Sequence, residues 1–168
     1  PGNIVVGTDG RVKLLDFGLA KLIRAGASSD SDPAAETITV ADLEGPLTES
    51  GHIVGTVSYM SPEQLIGGRV DARTDIFSFG VLLYEILTGH HPFQRPSVVE
   101  TGAEILKHEP RSARELVPGI PRPLERIISH CLQKTPDERF QSITDVGRLL
   151  EDVRADLDSR LETEPASV

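Results

Sequence analysis

The sequence predicts an α+β fold, a short N-terminal β-hairpin followed by a mainly α-helical body, and three observations carry that prediction. Two apolar runs, Ile4-Val5-Val6 and Val12-Lys13-Leu14-Leu15, flank a turn containing Asp9-Gly10, where glycine accepts the positive φ of a tight hairpin. Residues 75–87 are apolar nearly all round, the pattern of a helix at the centre of a core. Two later stretches repeat apolar residues at helical spacing.

Taken in order, the hairpin is followed by residues 25–50, rich in Ser, Asp, Ala, Thr and Glu and without periodicity. Too little apolar surface is present there to offset the entropy of ordering, so a long loop is expected. Ser61-Pro62-Glu63 then signals a short helix, with Ser as N-cap, Pro at the first helical position and Glu at the positive end of the helix dipole. The apolar helix of residues 75–87 stops at Thr88-Gly89. Leu124, Ile127, Ile128, Cys131 and Leu132 form one stripe of a helix starting after Pro123. Ile143, Val146, Leu149, Leu150, Val153 and Leu157 form another, opened by Ser142 with Asp145 three residues on, close to a capping box. Residues 158–168 read as a flexible tail or linker, which leaves one domain over residues 1–157.

The 168 residues are 38% hydrophobic, with 17 Lys+Arg against 26 Asp+Glu and a net charge of −9. That length supports one core without disulfides or metals. The single cysteine, Cys131, excludes an internally disulfide-stapled scaffold and suits a reducing, cytoplasmic setting; on its apolar stripe it reads as a packed core thiol. The acidity argues against nucleic-acid binding, and no apolar run long enough to span a bilayer is present, which leaves open a membrane anchor elsewhere in a full-length protein. Six acids and no base lie in residues 25–50, and residues 149–168 contribute −4, so the remainder is near neutral at +1. Adjacent His90 and His91 diverge in direction and lack a third ligand at fitting spacing, so they read as loop residues rather than a metal site.

The chemistry gathers at the hairpin. Asn3 directly precedes its first strand, and Asp16-Phe17-Gly18 directly follows its second. A hairpin brings its entry and exit together, and an amide oxygen with a carboxylate is a hard-oxygen pair suited to Mg²⁺ and nucleotide phosphates. Two turn-flanking polar residues are the plainer alternative. The balance shifts because Gly55-Thr56-Val57-Ser58-Tyr59-Met60-Ser61-Pro62-Glu63, then Asp75-Ile76-Phe77-Ser78-Phe79-Gly80, then Pro136-Asp137-Glu138-Arg139-Phe140 follow in order.

With these four motifs the chain resembles the protein kinase family, in particular the C-terminal lobe of a bacterial-type serine/threonine kinase, over residues 1–156. The resemblance implies a protein-kinase-like, mainly helical lobe with an activation segment over residues 16–63. It implies that ATP and Mg²⁺ are the cofactors, with Asn3 and Asp16 as the metal ligands. Phe17 sets the position of Asp16, and Gly18 lets the backbone turn. Ser61-Pro62-Glu63 stands where the family has Ala-Pro-Glu, and Glu63 is expected to form a buried ion pair with Arg139. Asp75 resembles the acid that binds the catalytic-loop backbone. Thr56 resembles the threonine placed beside the catalytic Asp and Lys, favouring Ser/Thr substrates. Thr48 and Ser50, in an activation segment of 48 positions, are candidate phosphoacceptors.

The catalytic Asp, Gly-rich loop, strand Lys and its Glu partner match nothing here. The sequence starts Pro1-Gly2-Asn3 without Met, so these parts and the N-terminal lobe are expected upstream, and the 168 residues alone are expected to be inactive. Protein substrates and that lobe are the expected partners. A half-kinase acting as a scaffold or regulatory binding module is the alternative.

Overall fold

The computed structural model describes residues 4–9, 11–14 and 57–163. Asn3, Asp16, Phe17, Gly18, Thr48, Ser50 and Thr56 lie outside the described residues, as does the acidic stretch 25–50. The strands belong to one unit, residues 1–37, and the helices to a second, residues 38–168.

In the first unit, β1 (Ile4–Val6) pairs antiparallel with β2 (Val12–Leu14), with Ile4 opposite Leu14 and Val6 opposite Val12. The connection closes through Gly7 N–H donating to the Arg11 carbonyl at 2.8 Å, while Asp9 Oδ1 accepts from Arg11 N–H at 3.1 Å. That side-chain bond substitutes for a backbone turn bond.

In the second unit, α1 (Pro62–Leu65) carries a full capping box: Ser61 Oγ accepts from Gln64 N–H, and Gln64 Oε1 accepts from Ser61 N–H at 2.9 Å. Two orphan donors at the helix start are thereby satisfied. The next helix, α2 (Ala72–Thr88), starts on Asp71, whose side chain accepts from Arg73 N–H, and ends on Gly89 at φ 72°. Glycine is needed at that stop because the left-handed region costs other residues roughly 1–2 kcal/mol.

Three helices follow, the first packing on α1 and the other two on α2. These are α3 (Val98–Lys107), capped by Ser97, then α4 (Ala113–Leu116) and α5 (Arg122–Cys131). All five residues of the 124–132 stripe are buried, and each such side chain contributes roughly 1.5–3 kcal/mol. The turn containing a short 3₁₀ helix (Pro136–Glu138) then leads into α6 (Ile143–Thr163).

The core holds Ile76, Phe77, Val81, Phe93, Ile105, Cys131, Leu132 and Val146. At Gly80 an added Cβ would lie 2.6 Å from Cys131 Cβ and 3.0 Å from Leu132 Cδ2, so glycine lets α2 and α5 approach closely.

Two features differ from the sequence reading. Only one face of α2, with Ile76, Phe77, Gly80, Val81 and Tyr84, is buried, while Ile86 on the far side is 59% exposed. An all-round apolar helix has no polar face to mark which side turns inward. Second, α6 runs to Thr163, so residues 158–163, read as flexible tail, are helical. Residues 154–160 are exposed, and good helix formers with the exposed Arg154–Asp158 pair (3.7 Å) accompany the extension. No helix among the described residues is long and apolar enough to cross a membrane.

Candidate functional site

The capping box of α1 places Glu63 one turn into the body, where it is buried. The short 3₁₀ helix ends on Arg139, which is also buried. Arg139 Nη1 donates to Glu63 Oε1 at 2.7 Å and Nη2 to Oε2 at 2.8 Å, a two-pronged bridge across 76 positions. Thr74, in the first turn of α2, adds its hydroxyl to Glu63 Oε1 at 2.8 Å.

The guanidinium spends its remaining N–H groups on carbonyls: Nε on Gln133 (2.7 Å), Nη1 also on Arg73 (3.0 Å) and Nη2 also on Lys134 (3.1 Å). All five donors of the planar fork are thereby used. The face of the guanidinium lies 4.9 Å from the centre of the Phe77 ring. Burial alone would raise the Glu63 carboxyl, but Arg139, the Glu63 backbone and Thr74 outweigh it and hold it below the ordinary value. A second clasp is only half-buried: Arg73 binds Asp71 at 2.8 Å and the exposed Asp137 at 2.5 Å.

Just before α1, residues 57–61 are tied to α2. Ser78 Oγ donates to the Tyr59 carbonyl at 2.8 Å, and the Tyr59 hydroxyl donates to Glu85 Oε2 at 2.5 Å. Burial first, then Glu85, push the Tyr59 phenol well above its usual range, so it stays a donor. Asp75 is exposed in the first turn of α2, with no hydrogen-bond partner among the described residues.

The structure therefore brings Glu63 and Arg139 together and leaves Asp75 apart from them. Thr74, Ser78, Tyr59 and Glu85 were not singled out from sequence. Glu85, the acid inside an otherwise apolar run, was the available signal. At the ribbon of the first unit, Ile4 and Leu14 are opposite each other; in sequence Asn3 precedes the former and Asp16 follows the latter by two positions. No group of three or more His, Cys, Asp or Glu among the described residues is arranged to hold a metal.

Residues 1–148 match the family model described as "Protein kinase domain". The chain is 32% identical over 157 residues to serine/threonine-protein kinase PknL of Mycobacterium tuberculosis, covering 94% of this chain and 35% of that one. It is 33% identical to a probable serine/threonine-protein kinase of Streptomyces coelicolor, covering 98% of this chain and 21% of the relative. Among solved structures, the twitchin kinase region from C. elegans matches with a TM-score of 0.51 at 28% identity, over 58% of this chain and 17% of that one. The chain spans about a third or less of the length of these curated relatives.

Proposed function

From the premise that this chain belongs to the protein kinase domain family, we propose that it is the C-terminal lobe of a serine/threonine protein kinase, which transfers the ATP γ-phosphoryl group to Ser and Thr hydroxyls of proteins in the cytoplasm. The observation that carries this reading is the Glu63–Arg139 bridge with Thr74, which joins the Ser-Pro-Glu end of the activation segment to the Asp-Glu-Arg turn and to the central helix. A bridge of that kind fixes where the segment ends, and phosphoryl transfer depends on positioning more than on covalent chemistry.

Asn3 and Asp16 are the residues that would hold Mg²⁺, and an amide oxygen plus a carboxylate is a donor set that fits it. The ion supplies neutralisation of phosphate charge. Phe17 and Gly18 set the posture of Asp16, and Thr56 supports the acceptor hydroxyl. Asp75, exposed at the start of α2, is available to the catalytic-loop backbone. Residues 16–63 form the activation segment after the N-terminal hairpin, and phosphorylation of Thr48 or Ser50 adds about −1.5 to −2 charge that an Arg from outside residues 25–68 must receive. The catalytic Asp, which the family places a few residues before Asn3, and the Gly-rich loop and strand Lys of an N-terminal lobe would be supplied from upstream of these residues.

The test pairs two assays. The chain alone, given labelled ATP, Mg²⁺ and a generic protein substrate, yields no transfer above a blank. With the upstream catalytic loop and N-terminal lobe joined to it, transfer to Ser and Thr appears, Asp16→Ala abolishes it, and Thr48→Ala/Ser50→Ala reduces it. Transfer by the chain alone that vanishes in Asp16→Ala overturns the need for upstream parts.

A further inference from the structure

The loop that follows α2 is built around an imidazole. His91 Nδ1 lies 3.2 Å from Phe93 N and 3.0 Å from Gln94 N. Both nitrogens are donors, so Nδ1 is the acceptor for two backbone N–H groups and the ring proton sits on Nε2. The same ring meets Tyr59 edge to face, with centroids 5.2 Å apart and planes at 85°. Phe93, which the turn carries, is fully buried and stacks on Phe77 at 5.9 Å. One side chain thus links the core-anchored turn 91–94 to Tyr59 and to residues 57–61.

We propose that His91 is a positioning residue for residues 57–61 and does this only as a neutral imidazole. A proton taken up at Nδ1 removes the acceptor of both the Phe93 and Gln94 N–H groups and sets a third donor against them, which opens the turn and loosens the Tyr59 contact. Glu85 from α2 and Tyr59 from the segment itself are the titratable groups that face the ring. His90, its neighbour in the loop, is exposed and turned to the Thr88 carbonyl at 2.9 Å. Burial favours the neutral ring, against the pull of Glu85 and the Ser58 backbone toward the charged form. The consequence for catalysis rests on the kinase reading, in which the segment leads from Thr56 to Ser61; the structural claim stands apart from it.

The experiment uses the ¹⁵N-labelled 168-residue chain. Long-range ¹H–¹⁵N spectra report the tautomer and midpoint of His91, and amide exchange is followed from pH 7.5 to 5 as protection factors. The Nε2–H tautomer, a midpoint below 6.5, and at least a tenfold fall in protection at residues 58–60, 93 and 94 across that midpoint are expected. His91→Asn, whose Oδ1 accepts the same N–H groups without titrating, keeps its protection at pH 5. His91→Phe, which keeps a ring but no acceptor, loses protection at 93 and 94 at every pH. Flat wild-type protection, an Nδ1–H tautomer, or the same acid loss in His91→Asn overturns the proposal. The wild-type titration decides the matter even if a variant fails to fold. None of these readouts involves phosphoryl transfer, so a failed kinase assay leaves this inference untouched.

Discussion

Arg139 meets Glu63 through two hydrogen bonds, at 2.7 and 2.8 Å, and meets three backbone carbonyls with its other donors. That division decides what substitution does. Arg139→Ala strands the Glu63 carboxylate, for a cost of about 3–5 kcal/mol. Arg139→Lys recovers little, because an ammonium cannot reproduce the planar fork. Replacing both residues with apolar ones remains destabilising as well, since the Gln133, Lys134 and Arg73 carbonyls lose their donor, at about 1–3 kcal/mol each where no water enters. Urea unfolding checks all three; an Arg139→Ala loss under about 1 kcal/mol contradicts the account.

The same bridge gives the protein an acid limit. The Glu63 carboxyl is held below its ordinary value of 4.5 in the folded chain. The folded state therefore binds fewer protons than the unfolded one between the two values. Its contribution is fully present above about pH 5 and is lost as pH falls through the folded value. Glu63→Gln, which does not titrate, is expected to be less stable at pH 7 and to show a shallower decline between pH 5 and 3. Parallel acid curves for the two proteins would remove Glu63 as the cause.

Lys134 is a cost to the folded state rather than a support. Its Nζ is buried with no hydrogen-bond partner among the described residues and sits 4.0 Å from the centre of the Phe93 ring. Burial pushes it down to about 8, with Glu109 pulling back and Arg139 adding to the push. The ring contact returns about 0.5–2 kcal/mol, and a buried polar group without partners costs about 1–3 kcal/mol. Lys134→Met, similar in length and apolar, is therefore expected to gain ~1 kcal/mol at pH 7, or ~2–4 °C in Tm. Between pH 8 and 10.5 the unfolded chain holds the proton more tightly, so wild-type stability rises relative to the variant. A gain that stays constant to pH 10.5 sinks this prediction.

What the sequence revealed and what it hid follow from the range of each interaction. The stripe from Leu124 to Leu132 and the stop at Gly89 were legible because they repeat or terminate within one or two turns. The helix of α3 was not read, since Gly102 and the Val98, Thr101, Ile105 spacing make a weak stripe, although Ser97 caps it. In α6, Val146 and Val153 are buried, yet Ile143, Leu149 and Leu157 are exposed, because periodicity states a face and not how far a neighbour covers it. At the candidate site, motif order pointed to Glu63 and Arg139. The hydroxyls of Thr74 and Tyr59 reach partners 11 and 26 positions away, and no local pattern encodes such a meeting. Asn3, Asp16, Phe17, Gly18 and Thr56 lie outside the described residues and stay with the family resemblance.

The contact of α2 with α5 yields the last prediction. Gly80 faces Cys131 and Leu132 so closely that a methyl group would sit 2.6 Å from Cys131 Cβ, a backbone-proximal atom with little room to move. Core overpacking of this kind costs about 1–3 kcal/mol, and the gain in helix propensity from Gly to Ala, about 1 kcal/mol, offsets only part of it. Gly80→Ala is therefore destabilising, against the usual sign for glycine inside a helix. Cys131 supplies an independent monitor, because burial pushes its thiol up to about 12 and the side chain is fully buried. Thiolate, the reactive form, is scarce in the folded state. Labelling of Cys131 by a disulfide reagent at pH 8 should wait on unfolding in the wild type and run roughly 5–30-fold faster in Gly80→Ala, as an open population enlarged by one to two kcal/mol requires. Equal labelling rates, with Gly80→Ala as stable as wild type, would mean that the two helices can move apart without cost.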